Sequence, residues 1–184
     1  IILVGKTILE KLGIKFCLEI NYLGGEESLN SYRKYLRDFL KANKDSFEEK
    51  LYSRLQRNPV RAIDSKDENI QKIIGDAKDI TNFLTEEEKR AFSETVKILG
   101  QLKVDYVINT NLVRGMDYYT GTVFEFTVDS LGAQNAVIGG GRYDNLIEEL
   151  GGKDLPAIGF ALGIDRLSEI ITLDKKPKDV FIGC

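Results

Sequence analysis

Arg114, Tyr118, Tyr119, Tyr143 and Arg166, each set close to glycines, carry most of the chemistry this sequence offers. Leu112-Val113-Arg114-Gly115-Met116-Asp117-Tyr118-Tyr119-Thr120-Gly121 gathers a guanidinium, a carboxylate and two phenols into one short loop ahead of an apolar run. Arg114 offers a planar fork suited to a carboxylate or a phosphate, and a tyrosine hydroxyl can both donate to and accept from a heteroaromatic nitrogen. Tyrosines plugging a sheet edge beside an Arg114 to Asp117 pair fit the same residues equally well. Gly139-Gly140-Gly141-Arg142-Tyr143-Asp144 places three glycines where a strand meets a helix. That arrangement admits a ligand or a second backbone, or simply makes a tight turn. The G-x-x-x-x-G-K-[ST] and G-x-G-x-x-G phosphate loops are both absent. From Pro156 to Leu167 a strand of small and apolar residues turns through Gly163 into a helix, leaving Arg166 in the first turn. There the helix dipole and the guanidinium both favour an anion; the competing role is a surface arginine paired with Asp165 or Glu169.

These segments need elements to hold them. Leu3, Ile8, Leu9 and Leu12 have helical spacing that Gly13 stops, and Ile14 to Ile20 then reads as a buried strand closed by Gly24-Gly25. The stripe Tyr32, Tyr35, Leu36, Phe39, Leu40 predicts an amphipathic helix. Its expected partners are Phe47, Leu51 and Leu55, together with a later helix opened by Thr85 and Glu88, a capping-box pair, and striped by Phe92, Val96 and Leu99. A mostly helical unit is therefore expected over 25–103, with Asn58-Pro59 ending its second helix and a turn or helix start at Asp64-Ser65-Lys66. After it, strands are expected at Val104–Ile108, Thr122–Val128, Ala136–Gly140 and Ala157–Leu162, and helices at Tyr143–Leu150 and Ile164–Ile171. Short connections favour antiparallel pairing, so the fold class is α+β with an antiparallel sheet.

Composition narrows the functions available. The 184 residues are 42% hydrophobic and 30% charged, enough for one substantial core. With no histidine and only Cys17 and Cys184, neither a zinc site nor a disulfide framework is expected. No apolar run approaches the roughly 20 residues of a membrane span, and no signal-peptide pattern opens the chain, so a cytoplasmic protein is expected. The net charge of −3 hides a basic stretch from Arg33 to Arg61, with nine basic residues against four acidic ones. Such a stretch is usually a solvated face, and otherwise a set of phosphate contacts. Because the chain opens on Ile1 and its one methionine is Met116, it is expected to be a segment of a longer protein.

LVRGMDYYTGTVFE, GGGRYD and GFALGIDRL, in this order, closely resemble the two signature motifs and the class II third motif of histidyl-tRNA synthetases. NPVRAIDSK is similar to that family's insertion domain, and KPKDVFIGC to the opening of its anticodon-binding domain. The one departure noted is Gly139, where alanine is commoner. The resemblance implies a catalytic-core segment at 1–24, a helical insertion at 25–103, catalytic core again at 104–174, and a linker with the start of an anticodon-binding domain at 175–184. It implies that Arg114 contacts the histidine carboxylate and the α-phosphate, that Tyr118 and Tyr119 line the imidazole pocket, that Tyr143 closes the amino-acid side, and that Arg166 binds the ATP triphosphate. ATP with Mg as a substrate complex, histidine and tRNA(His) are the implied partners, in a parent that forms a homodimer. The family's first two class II motifs are missing here, so the fragment alone is expected to be inactive. The alternative is a catalytic-like regulatory subunit of ATP phosphoribosyltransferase, which shares the fold and is not expected to bind tRNA.

Overall fold

The computed structural model describes residues 1–113 and 118–171, with backbone alone at 133 and 134. Helix α1 (Ile2–Lys11) ends where Gly13 takes a positive φ of 68° and Ile14 N–H returns to the Leu9 carbonyl. Strand β1 (Cys17–Tyr22) follows, and Gly24, at φ 77°, turns the chain into α2 (Glu26–Ala42). Leu29, Tyr32, Leu36 and Leu40 lie buried along one face of α2, as their spacing requires. α3 (Glu49–Arg57) stops before Pro59, and α4 (Glu68–Ile74) is capped by the Asp67 carboxylate, which accepts from the backbone of Asn69 and Ile70. α5 (Glu86–Gln101) opens with the complete capping box of Thr85 and Glu88. Then come β2 (Val107–Ile108), β3 (Thr120–Thr127), β4 (Ala136–Tyr143), the short α6 (Leu146–Glu149), β5 (Ala157–Leu162) and α7 (Ile164–Ile170).

The strands form one five-stranded sheet in the order β2-β1-β3-β4-β5. Side chains alternate across a sheet, so its two faces meet different neighbours. On one face Leu18, Ile20, Phe124, Phe126 and Ile138 pack with Leu9, Leu99 and Leu167, so α1, α5 and α7 back the sheet there. Gly5 lets α1 come close, since a Cβ there would stand 3.0 Å from the Phe126 ring. On the other face Val123 and Tyr119 join Leu112 and Val113 to a core running through Leu23, Leu29, Tyr32, Leu36, Leu55 and Ile63, which ties the helical unit to the sheet. The remainder of that second face carries Glu19, Glu125, Gly139 and Gly141.

Several expectations need correction. The sheet is antiparallel except for β1 and β2, which pair in parallel with Glu19 opposite Val107 and Ile20 opposite Ile108. A parallel pair needs a long crossover, and 25–103 supplies one. Its last helix shows the consequence: Phe92, Val96 and Leu99 pack against the sheet core and not against the α2 stripe. β4 runs three residues further than Gly140, so Tyr143 ends a strand and does not start a helix. The first strand sits at 17–22, and the turn or helix start expected at Asp64-Ser65-Lys66 leads into α4, which begins at Glu68. Arg114 and the segment 175–184, expected to open an anticodon-binding domain, lie outside the described residues.

Candidate functional site

The two tyrosines after the Arg114 loop meet the one that ends β4. Ring centroids of Tyr118 and Tyr119 are 4.6 Å apart, those of Tyr118 and Tyr143 5.5 Å, and those of Tyr119 and Tyr143 6.1 Å, the last two edge to face. Backbone locks hold this cluster in place. Asp144 N–H donates to the Thr120 hydroxyl (3.1 Å), Gly121 N–H to the Gly24 carbonyl (2.8 Å), and Leu23 N–H to the Gly121 carbonyl (2.8 Å). The start of β3, the end of β4 and the root of the helical unit are thereby joined.

Under the rings lies a floor without side chains. Gly141 and Gly159 are register partners on adjacent strands. A Cβ on Gly141 would sit 2.8 Å from Tyr119 Cδ1 and 2.9 Å from the Thr122 carbonyl, and one on Gly159 would sit 2.7 Å from the Tyr143 hydroxyl. The glycines thus allow close approach of aromatic rings to the backbone, a role their sequence left open between ligand access and a simple turn. Arg142, exposed beside them, pairs with Asp144 at 2.7 Å.

Arg166 stands further along the same face. Its Nη1 donates to the Ala136 carbonyl at 2.5 Å, and it lines a cavity of about 360 Å³ with Glu19, Glu125, Thr127, Asn109 and, from the helical unit, Ser65, Lys66 and Gln71. Tyr143 lies seven positions beyond Ala136 along β4, roughly 23 Å of strand. An amino acid alone cannot reach both ends of that span, whereas an extended nucleotide beside one can. Glu19 and Glu125 are cross-strand neighbours. Like charges so placed repel, and Asn109 Nδ2 answers part of that charge by donating to Glu19 at 2.5 Å. A larger cavity, about 600 Å³, opens at the far ends of β1 and β3 beside Cys17 and Ile170. Its Cys17 thiol is pushed up by burial and by the charges of Glu19 and Asp129, which suits a bystander better than a nucleophile. Among the described residues no group of three or more Cys, Asp or Glu side chains is placed to hold a metal ion, and no helix is long and apolar enough to cross a membrane.

Of the five residues singled out by sequence, the structure brings Tyr118, Tyr119 and Tyr143 together and sets Arg166 at the other end of their face; Arg114 is outside the described residues, though Leu112 and Val113, just before it, are buried. Sequence reading missed Glu19, Asn21, whose Nδ2 donates to the Thr110 and Leu112 carbonyls at 3.2 and 3.0 Å, Glu125 and Gly159. The signal available for the first two was polarity at alternate positions of an otherwise apolar strand, Leu18-Glu19-Ile20-Asn21.

The family model for histidyl-tRNA synthetase matches residues 30–167. A histidine–tRNA ligase of Ehrlichia ruminantium (strain Gardel) is 46% identical over 94% of this chain. The chain spans 42% of that relative's length. Among solved structures, the apo histidyl-tRNA synthetase of S. aureus superposes with a TM-score of 0.71 at 34% identity, covering 94% of this chain and 44% of that one. A Bacillus halodurans protein described as an ATP phosphoribosyltransferase regulatory subunit/histidyl-tRNA synthetase has a TM-score of 0.55 at 24% identity over 93% of this chain and 48% of its own, a likeness of fold alone.

Proposed function

This chain belongs to the histidyl-tRNA synthetase family, and we propose that it is the part of a histidine–tRNA ligase that holds the histidine ring and the ATP tail, working within a longer parent chain. The reaction is adenylate formation followed by acyl transfer. The histidine carboxylate attacks the α-phosphate of ATP in line and pyrophosphate leaves; the terminal ribose hydroxyl of tRNA(His) then attacks the carbonyl of the adenylate, taking the histidyl group and releasing AMP. Mg arrives with ATP as part of the substrate.

The observation that carries the reading is the three-tyrosine cluster on its glycine floor. Tyr118 and Tyr119 present phenols to the imidazole nitrogens and Tyr143 closes the amino-acid side. A pocket built to hydrogen-bond ring nitrogens rejects apolar analogues, because its own polar groups are then left unpaired. Arg114, a permanent cation, contacts the histidine carboxylate and stabilises charge spreading over the α-phosphate without titrating. Arg166, one strand length away, binds the triphosphate. In this division 1–24 and 104–174 are catalytic core, 25–103 is an insertion whose basic stretch lies along the acceptor arm of the tRNA, and 175–184 leads to an anticodon-binding domain. The parent is a cytoplasmic homodimer.

Isothermal titration of histidine, alone and with ATP, into this chain and into a version carrying the upstream half tests the proposal. Binding by the longer chain only is the expected result. Absence of binding to either would overturn the assignment. Histidine-dependent ATP–pyrophosphate exchange by this chain alone would show that the site is complete without the upstream half.

A further inference from the structure

We propose that Lys66, from the helical unit, is a substrate-binding residue for the triphosphate of ATP, joining Arg166 in the cavity that both residues line; the proposal deepens the ligase reading above and rests on it. Two parts of the chain build that cavity. Glu19, Glu125 and Thr127 come from the sheet and Arg166 from the helix behind β5, whereas Ser65, Lys66 and Gln71 come from the helical unit. Two cations more than 90 positions apart in sequence therefore border one space of about 360 Å³. Lys66 also lies outside the basic stretch that ends at Arg61.

The loop that carries Lys66 is fixed on both sides. Gln71 Nε2, in α4, donates to the carbonyls of Ile63 (3.1 Å) and Ser65 (2.5 Å). The Ser65 hydroxyl accepts from Asp67 N–H (3.3 Å), and the Asp67 carboxylate is committed to capping α4. Ala62 and Ile63, just before the loop, and Ile70, just after it, are buried. Lys66 itself is exposed. An exposed lysine is usually a solvated charge that gains little from one surface partner. Here the backbone beneath it is ordered before any ligand arrives, which removes part of the entropy that binding would otherwise cost. The signs of charge in the cavity select the ligand. Glu19 and Glu125 place carboxylates beside the two cations, so a bare polyanion meets repulsion there as well as attraction. A triphosphate that brings its Mg offers positive charge to the acidic side and phosphate oxygens to Arg166 and Lys66.

The test uses the full-length parent enzyme in ATP–pyrophosphate exchange without tRNA, with Lys66→Ala, Lys66→Arg, Gln71→Met and Lys72→Ala. Lys66→Ala should raise the KM for ATP and that for pyrophosphate about 10-fold or more, the effect of losing one charge-assisted hydrogen bond, while the KM for histidine changes less than about twofold. Lys66→Arg should recover most of the loss, because the charge returns. Gln71→Met frees the loop and leaves Lys66 in place, so it should raise the KM for ATP to a smaller extent. Lys72, exposed on the same helix and outside the cavity lining, should be replaceable by alanine without effect. An unchanged KM for ATP in Lys66→Ala, an equal rise in Lys72→Ala, or a loss seen only in the KM for tRNA during aminoacylation would each overturn the proposal. The last of these would place Lys66 on RNA instead. A wild-type parent without histidine-dependent exchange would sink the ligase reading and this proposal with it.

Discussion

Replacing Glu88 by alanine should destabilise this chain more than the loss of one helix cap does. Glu88 fills the third position of α5, where its backbone N–H donates to the Thr85 hydroxyl (3.2 Å) and its carboxylate accepts from Thr85 N–H (2.8 Å). The same carboxylate accepts from Gly25 N–H (2.5 Å) and from the hydroxyl of buried Ser28 (2.6 Å) at the start of α2. One anion thus serves two helix N-termini, each favouring negative charge. A lost cap costs about 1 kcal/mol, and a hydrogen bond to a charged group about 1.5–3 kcal/mol. Because these bonds share one carboxylate and Gly25 N–H can rehydrate, the combined loss is about 2–3 kcal/mol, not their sum. For a chain of this size that lowers Tm by roughly 5–10 °C. Burial pushes the Glu88 carboxyl up, but the bonds from Gly25, Ser28 and Thr85 outweigh it and hold it below its ordinary value. A group depressed in the folded state stabilises above its unfolded pKa, and that contribution is lost as pH falls through the folded value. Unfolding of wild type, Glu88→Ala and Glu88→Gln should be followed from pH 7 to pH 3.5. The gap between wild type and Glu88→Gln should be full at neutral pH and close below the ordinary carboxylate range. An alanine variant as stable as wild type at pH 7, or a glutamine gap that ignores pH, would refute the clasp.

The glycine floor makes two contrasting predictions. Gly141→Ala forces a Cβ against the Thr122 carbonyl as well as Tyr119, so it should cost about 2 kcal/mol or more in unfolding measurements. Gly159→Ala meets the end of the Tyr143 side chain, which can swing away. It should leave stability within about 1 kcal/mol, while raising the histidine KM of the parent enzyme. Arg166→Ala should raise the KM for ATP in pyrophosphate exchange far more than that for histidine, since it stands a strand length from the tyrosines, and an equal rise in both would contradict that separation.

Local signals were legible and long-range ones were not. Thr85 and Glu88 announced the start of α5 because a capping box is written within four residues. Nothing near Glu88 announces its bond to Gly25, 63 residues earlier. The helical period of Phe92, Val96 and Leu99 told that one side of α5 is covered, but a period cannot name what covers it, and the sheet proved to be the answer. Treating 25–103 as a separate helical unit also hid the direction of β2, because the crossover that makes β1 and β2 parallel runs through that unit. The site divides in the same way. Arg166 and the tyrosines stood out as uncommon side chains beside glycines, whereas Asn21 looked like one polar residue in an apolar strand, since its partners lie 89 and 91 residues away. The Gly24 and Gly121 bonds fasten the root of the helical unit directly to the tyrosine loop. The two described ends of the chemistry-bearing loop are therefore held by strand β1 and by the point where the helices leave the sheet, partners that no window along the loop's own sequence could have contained.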